Sequence, residues 1–181
     1  MTKKQLGIIV LLIALGLITR LSWHPANITA LAAISIFAGF YFSRKIAWLI
    51  PISIMLISDL FLGGYELPVM ISVYVSFVLA TQIGAWFKGK RPGLTWLGAV
   101  ILPGLIFFII TNFAIWAFTP WYVRTGAGLI QCLVAALPFW RNMAIGDAVW
   151  LGVIFSSYYA VVSVPQVILR SRLWYTKRVI S

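Results

Sequence analysis

Six apolar stretches dominate this chain of 181 residues, and each is long enough to cross a lipid bilayer as an α-helix. A bilayer core of about 30 Å requires about 20 apolar residues, and they have to be helical because lipid offers no partner to backbone N–H and C=O groups. Hydrophobic residues make up 62% of the chain and charged residues only 9%, which is typical of integral membrane proteins. We therefore predict an all-α integral membrane protein, a bundle of six transmembrane helices in a single domain over residues 1–181. The predicted spans are 5–23, 25–43, 46–62, 67–87, 94–118 and 143–164.

A further apolar segment, residues 126–137, is too short to cross the bilayer. The segments "PWY" before it and "PFWR" after it carry aromatic residues typical of a membrane interface. We expect a short re-entrant or interfacial helix that ends before the last span. A tilted seventh span is the alternative.

Positive charge is distributed unequally between the two sides of the predicted bundle. Fourteen Lys and Arg residues stand against three acidic ones, for a net charge of +11. Eleven of the basic residues fall on the side that holds both termini, and Arg20, Arg124 and Arg141 fall on the other. Because cytoplasmic loops carry the excess of Lys and Arg, both termini are predicted in the cytoplasm. A basic cytoplasmic tail, 165–181, is expected to begin at Pro165 and to contact lipid headgroups; no nucleic-acid partner is expected.

Two acidic residues, Asp59 and Asp147, interrupt apolar spans. A charge at the centre of a spanning helix costs about 2.5–3.5 kcal/mol, so neither side chain should face lipid. Arg20 lies at a comparable predicted depth and is their natural counter-ion. We expect Arg20, Asp59, Asn112 and Asp147 to meet in one polar layer near the outer face, as the floor of a small-molecule site. A buried Arg–Asp pair that only fixes helix packing is the alternative.

The outer loops supply aromatic and hydrogen-bonding side chains that would form a lid over this floor. An apolar pocket with a few placed polar groups is the usual build of a small-ligand site. The candidate wall and lid residues are His24, Asn27, Tyr65, Trp116, Trp121, Tyr122, Arg124, Gln131, Arg141 and Asn142.

Sequence patterns for catalysis are missing. The chain has one histidine, His24, and one cysteine, Cys132, so no metal site is expected and these two are the remaining candidate ligands. It has no glycine-rich phosphate loop in a strand–helix context. We therefore expect a protein that is not an enzyme, and the sequence does not define a cofactor.

Small residues on two spans predict close helix packing. Span 25–43 carries Ser35 and Gly39, and span 67–87 carries Ala80 and Gly84. Small side chains at such spacing let helix backbones approach each other closely. We expect these faces to pack inside the bundle; contact with a partner membrane protein is the alternative.

Two motifs, "LISDLFLG" and "FWRNMAIGD", carry a resemblance that extends over about residues 20–160. The chain resembles a family of uncharacterised small bacterial inner-membrane proteins. That family is in turn distantly similar to the S components of energy-coupling factor vitamin transporters, which are six-helix proteins with both termini inside. The resemblance implies capture of a small vitamin-like or polar molecule near the outer face, with uptake driven by an energising transmembrane and ATPase module.

The first span departs from the S-component pattern, because it lacks the Ala-x-x-x-Ala motif that docks on the energising module. A solitary transporter of the same fold is therefore also considered. Two other classes stay open: a structural partner in cell-envelope assembly, and a membrane enzyme that acts on lipid headgroups with Asp59 and Asp147.

Overall fold

Seven helices follow one another along the described part of the chain, and no strand occurs there. The computed structural model describes residues 2–22, 27–90 and 94–179, without the side chains of 94–96 and 162–179. The predicted helical bundle is confirmed, and the fourth and fifth predicted spans coincide with helices. The helices are α1 (Lys3–Leu21), α2 (Leu31–Tyr41), α3 (Arg44–Ala47), α4 (Leu49–Leu62), α5 (Leu67–Phe87), α6 (Leu94–Phe118) and α7 (Gly126–Val179).

Several of these helices have the length and apolar composition of membrane spans, which indicates a multi-pass membrane protein. α3 and α4 form one such segment, because the backbone of Trp48 between them stays close to helical, with φ −71° and ψ −22°. The segments that qualify in the described ranges are Lys3–Leu21, Arg44–Leu62, Leu67–Phe87, Leu97–Phe118 and Gly126–Val161.

Among the described residues of the predicted second span, 25–43, only the 11 residues of α2 are helical. A helix of that length is about 17 Å long, well short of a bilayer core. Every residue from Leu31 to Gly39 is buried, so α2 is apolar on all sides and lies in the core of the bundle. Its apolar composition therefore reflects contact with other helices rather than with lipid.

The late start of α2 follows from the backbone before it. Asn27 adopts a left-handed conformation with φ +64°, which asparagine tolerates better than most residues and which a right-handed helix excludes. The chain reaches α2 at Ala30, whose N–H donates a hydrogen bond to Thr19 Oγ1 at 3.3 Å. This bond ties the start of α2 to the last turn of α1 and gives a backbone donor its partner.

α2 and α5 approach each other backbone to backbone at two glycines. A β-carbon built on Gly39 would lie 1.9 Å from the carbonyl oxygen of Thr81, and one built on Gly84 would lie 2.0 Å from that of Ile36. Any side chain at either position would force the helices apart. The predicted packing role of the small residues on these two spans is confirmed.

Aromatic rings connect α2 to α7. Phe37 meets Phe155 edge to face at a centroid distance of 5.3 Å and Tyr158 at 5.4 Å. Such offset and edge-on pairs contribute about 0.5–1.5 kcal/mol beyond the apolar area that they bury. α7 is thereby fixed on the side of α2 that α5 leaves open.

The prediction of a separate short helix before the last span was wrong. Residues 126–137 are the first turns of α7, which continues through Pro138 and Pro165 as one helix of 54 residues. At 1.5 Å per residue this helix is about 81 Å long, more than twice the thickness of a bilayer core.

The two prolines of α7 do not end the helix. Proline removes one hydrogen bond and crowds the preceding turn, but membrane helices tolerate it. Without a glycine or a polar turn after Leu137, nothing in the sequence ends the helix, and Pro165 does not end it either.

We predict that Gly39→Ala lowers the free energy of unfolding by about 1–3 kcal/mol or more, because its methyl group cannot fit against Thr81 without moving α5. Gly7→Ala is the matched control: it is also a helical glycine, and a β-carbon added there would have nothing within 4 Å. Thermal unfolding of both variants in detergent, followed by circular dichroism, measures the difference. Equal melting temperatures for the two variants would contradict the backbone contact.

Candidate functional site

An ion pair between α1 and α4 forms the first polar cluster. Arg20 Nη2 donates to Asp59 Oδ1 at 2.6 Å, and the Tyr74 hydroxyl of α5 donates to Asp59 Oδ2 at 2.8 Å. The side chains of Arg20 and Asp59 are 17% and 10% exposed. Both carboxylate oxygens of Asp59 therefore have a partner, and the predicted pairing of Arg20 with Asp59 is confirmed.

The turn between α4 and α5 brings these groups together. Gly63 ends α4 in a left-handed conformation, with φ +85°, and its N–H donates to the Asp59 carbonyl at 3.1 Å. Tyr65 in this turn interacts electrostatically with both Arg20 and Asp59. Burial, followed by the nearby Asp59 carboxylate, raises the pKa of the Tyr65 phenol above its ordinary value. The cluster thus joins α1, α4, α5 and the turn before α5.

The single polar layer that the sequence predicted is divided in two. Asp147 is not a partner of Arg20 or Asp59; it lies on α7, which packs against α2 and α6 in the described structure. α2 fills the centre of the bundle, so side chains at similar sequence-derived depth meet different neighbours. The prediction that Arg20, Asp59, Asn112 and Asp147 form one floor was therefore wrong.

A cavity of about 370 Å³ lies between α5, α6 and α7. Its walls are mainly aromatic and aliphatic, and hydrogen-bonding groups are few. It brings together Asn27, Asn112, Trp121 and Tyr122, four of the residues that the sequence proposed for the site. The other lining residues are Val69, Val73, Phe107, Phe108, Thr111, Ile115, Cys132, Ala135, Ala136, Phe139, Trp140 and Met143.

Asn112 and Cys132 form one polar spot on the cavity wall. Asn112 Nδ2 donates to the Phe108 carbonyl at 2.7 Å, and the Cys132 thiol donates to the Asn112 carbonyl at 3.4 Å. Cys132 is only 2% exposed. No group of three His, Cys, Asp or Glu side chains suited to a metal ion occurs in the described ranges, and His24 lies outside them.

A second polar spot lies one turn beyond the cavity, where α7 faces Gly104 of α6. The carboxyl oxygen Oδ2 of Asp147 and the indole Nε1 of Trp140 are both buried, and neither has a hydrogen-bond partner among the described residues. A β-carbon on Gly104 would lie 3.6 Å from Asp147 Oδ2 and 3.8 Å from both Trp140 Nε1 and Met143 Sδ. Buried polar atoms are rarely left without a partner, so this pair calls for a functional explanation.

The other described residues of the predicted site do not line the cavity. Trp116 Nε1 donates to the Val123 carbonyl at 3.1 Å and so fixes the loop between α6 and α7. Arg124, Gln131 and Arg141 are exposed. Asn142 is partly buried and precedes Met143, which lines the cavity.

Sequence reasoning missed Trp140, Met143 and Gly104. Trp140, Met143 and Asp147 follow one another at intervals of three and four residues, which places them on one face of a helix. That signal is present in the sequence, but it is visible only when the chain is read as helical through Pro138.

The long apolar helices indicate a multi-pass membrane protein, and three of them enclose a cavity. The chain belongs to the family described as "Family of unknown function (DUF6580)", whose model matches residues 1–168. No curated protein and no solved structure matches the chain.

We predict that Asp59→Leu destabilises the fold by about 3–5 kcal/mol, because it leaves the largely buried Arg20 guanidinium without its counter-charge. The double variant Arg20→Met/Asp59→Leu should recover most of that loss, since it removes both charges. Tyr74→Phe, which removes only one hydrogen bond, should cost about 1 kcal/mol. Thermal unfolding of the purified variants measures all three. If Asp59→Leu is as stable as the wild type, the ion pair between Arg20 and Asp59 does not hold α1 to α4.

Proposed function

We propose that this protein is a membrane-embedded binding protein that captures a small, mostly apolar molecule in the cavity between α5, α6 and α7 for uptake. The observation that carries the proposal is the cavity itself, about 370 Å³, at the lower end of the usual range for ligand pockets of about 300–1,000 Å³. Aromatic walls would bind the body of the ligand, and the few polar side chains would orient it.

The composition of the wall supports a small molecule rather than a polypeptide partner. Phe107, Phe108 and Phe139 supply apolar surface, while the Asn27 and Asn112 amides and the Tyr122 hydroxyl are placed singly among them. This pattern of apolar area with isolated polar groups is typical of sites that bind small molecules and cofactors. The resemblance to S components points to the same class of ligand.

In this proposal the cavity mouth lies on the outer side of a bacterial inner membrane, with both termini in the cytoplasm. The loop between α6 and α7 contributes Trp121 and Tyr122 to the cavity and would face outward, whereas Lys88 and Lys90 follow α5 on the opposite side. Energy for uptake would come from a separate energising module or an ion gradient.

We predict that a compound at near one-to-one ratio is released from freshly purified protein and identified by mass spectrometry. Ala136→Phe should abolish it, because Ala136 is buried on the cavity wall and a phenyl ring there would occupy the ligand's space. Ala148→Phe is the control, since Ala148 is exposed on the same helix.

An empty wild-type protein that carries a stoichiometric membrane partner would contradict the binding proposal and favour the structural role. Retention of the compound by a folded Ala136→Phe variant would instead place the ligand outside this cavity.

Orientation is tested by cysteine labelling in a Cys132→Ala background, which removes the single native thiol. Val123→Cys, at an exposed position of the α6–α7 loop, should react with a membrane-impermeant maleimide in intact cells. Lys88→Cys should react only after the cells are opened. The reverse pattern would overturn the proposed orientation.

A further inference from the structure

We propose that the ligand carries a neutral group that both donates and accepts a hydrogen bond, such as an amide, and that Gly104 admits this group to Asp147 and Trp140. The inference rests on the proposed binding function and names the chemistry of the ligand at the same site. It starts from two buried polar atoms, Asp147 Oδ2 and Trp140 Nε1, that no described residue satisfies.

The two atoms converge on one point. Both lie within 3.8 Å of the place where a side chain of Gly104 would begin, and Met143 Sδ lies at the same distance. Trp140 and Met143 also line the cavity, so the space beside Gly104 adjoins its wall. A ligand whose apolar body fills the cavity can therefore extend one polar group toward Gly104.

The chemistry of the two atoms selects the group. An indole N–H only donates a hydrogen bond, whereas a carboxyl group accepts one through its oxygen and also donates one when it is protonated. A single amide satisfies both, because its carbonyl accepts from Trp140 while its N–H donates to Asp147. A carboxylate on the ligand would bring a charge into a site whose described lining holds no basic residue, and an ammonium group would leave the Trp140 N–H without an acceptor.

Burial makes this match decisive for affinity. Asp147 is 2% exposed, so water does not reach its carboxyl oxygen. A ligand that leaves this oxygen without a hydrogen bond therefore loses binding free energy. Sites built to hydrogen-bond a ligand reject analogues that lack the matching group much more strongly than they reject analogues of slightly different size. The spot beside Gly104 would thus determine specificity, and the aromatic wall would supply general affinity.

Gly104 offers a substitution that tests the space without breaking the fold. A methyl group there meets its three neighbours at 3.6–3.8 Å, which is ordinary van der Waals contact. Alanine also favours helix more than glycine does, so Gly104→Ala should melt no lower than the wild type. The methyl group would occupy the position that the ligand's polar group needs.

The experiment compares four probes of nearly the same shape: 2-naphthamide, 2-isopropylnaphthalene, 2-naphthoate and 2-naphthylmethylamine. Specific binding is the difference between wild-type protein and Ala136→Phe in equilibrium dialysis with detergent, followed by naphthalene fluorescence. We expect 2-naphthamide to bind at least about tenfold more tightly than the hydrocarbon, in line with one or two hydrogen bonds to buried groups. The carboxylate should bind most weakly.

Gly104→Ala and Trp140→Phe should each reduce that preference to about twofold or less. Gly152→Ala is the matched control, because it is a glycine of α7 with nothing within 4 Å of its β-carbon position. It should keep the full preference.

Each other outcome is decisive. Equal specific binding of the amide and the hydrocarbon, or an amide preference that a folded Gly104→Ala variant keeps, would overturn the inference and leave the proposed cavity intact. Strongest binding of the amine would also overturn it, in favour of a cationic ligand. Absence of specific binding for all four probes would count against the proposed function and the inference together.

Discussion

The approach of α2 to α5 is the contact on which the rest of the bundle depends. At Gly39 and Gly84, each helix places a backbone carbonyl where a β-carbon of the other would stand. In lipid, helices associate through close packing and hydrogen bonds rather than through a hydrophobic driving force, so a contact of this kind contributes directly to association. α2 is an apolar helix of 11 residues, and it is shielded from lipid because α5 packs on one side of it and α4 and α7 on others.

A central α2 explains why the two membrane acids have different surroundings. Asp59 lies among α1, α4 and α5, where Arg20 and Tyr74 use both of its carboxylate oxygens. Asp147 lies where α7 faces α6, with Gly104 opposite and no described hydrogen-bond partner for its Oδ2. The first arrangement is that of a pair that fixes helix packing. The second leaves a buried acceptor beside a cavity, which is the arrangement expected of a binding group.

The sequence predicted those features that depend on local composition. Apolar runs located most helices, the cost of a buried charge paired Arg20 with Asp59, and small residues located the contact of α2 with α5. It failed where the outcome depended on neighbours in space. The aromatic flanks of residues 126–137 favoured a separate short helix, yet α7 continues through Pro138, where a helix loses only one hydrogen bond. Asp147 and Asp59 lie at similar distances from the ends of their predicted spans, so we expected them in one layer. Depth along a helix, however, gives no information about which helices face each other.

The contrast between the acids also bears on the choice between a scaffold and a binding protein. A chain selected only for packing can use a salt bridge such as Arg20–Asp59, or it can replace the buried polar group by an apolar one with little loss. Asp147 follows neither course: its carboxyl stays in the core, next to the indole N–H of Trp140 and opposite a glycine rather than a larger side chain. Retaining a donor and an acceptor opposite a glycine makes physical sense when a third group satisfies both atoms, and the adjoining cavity is the route by which such a group would arrive.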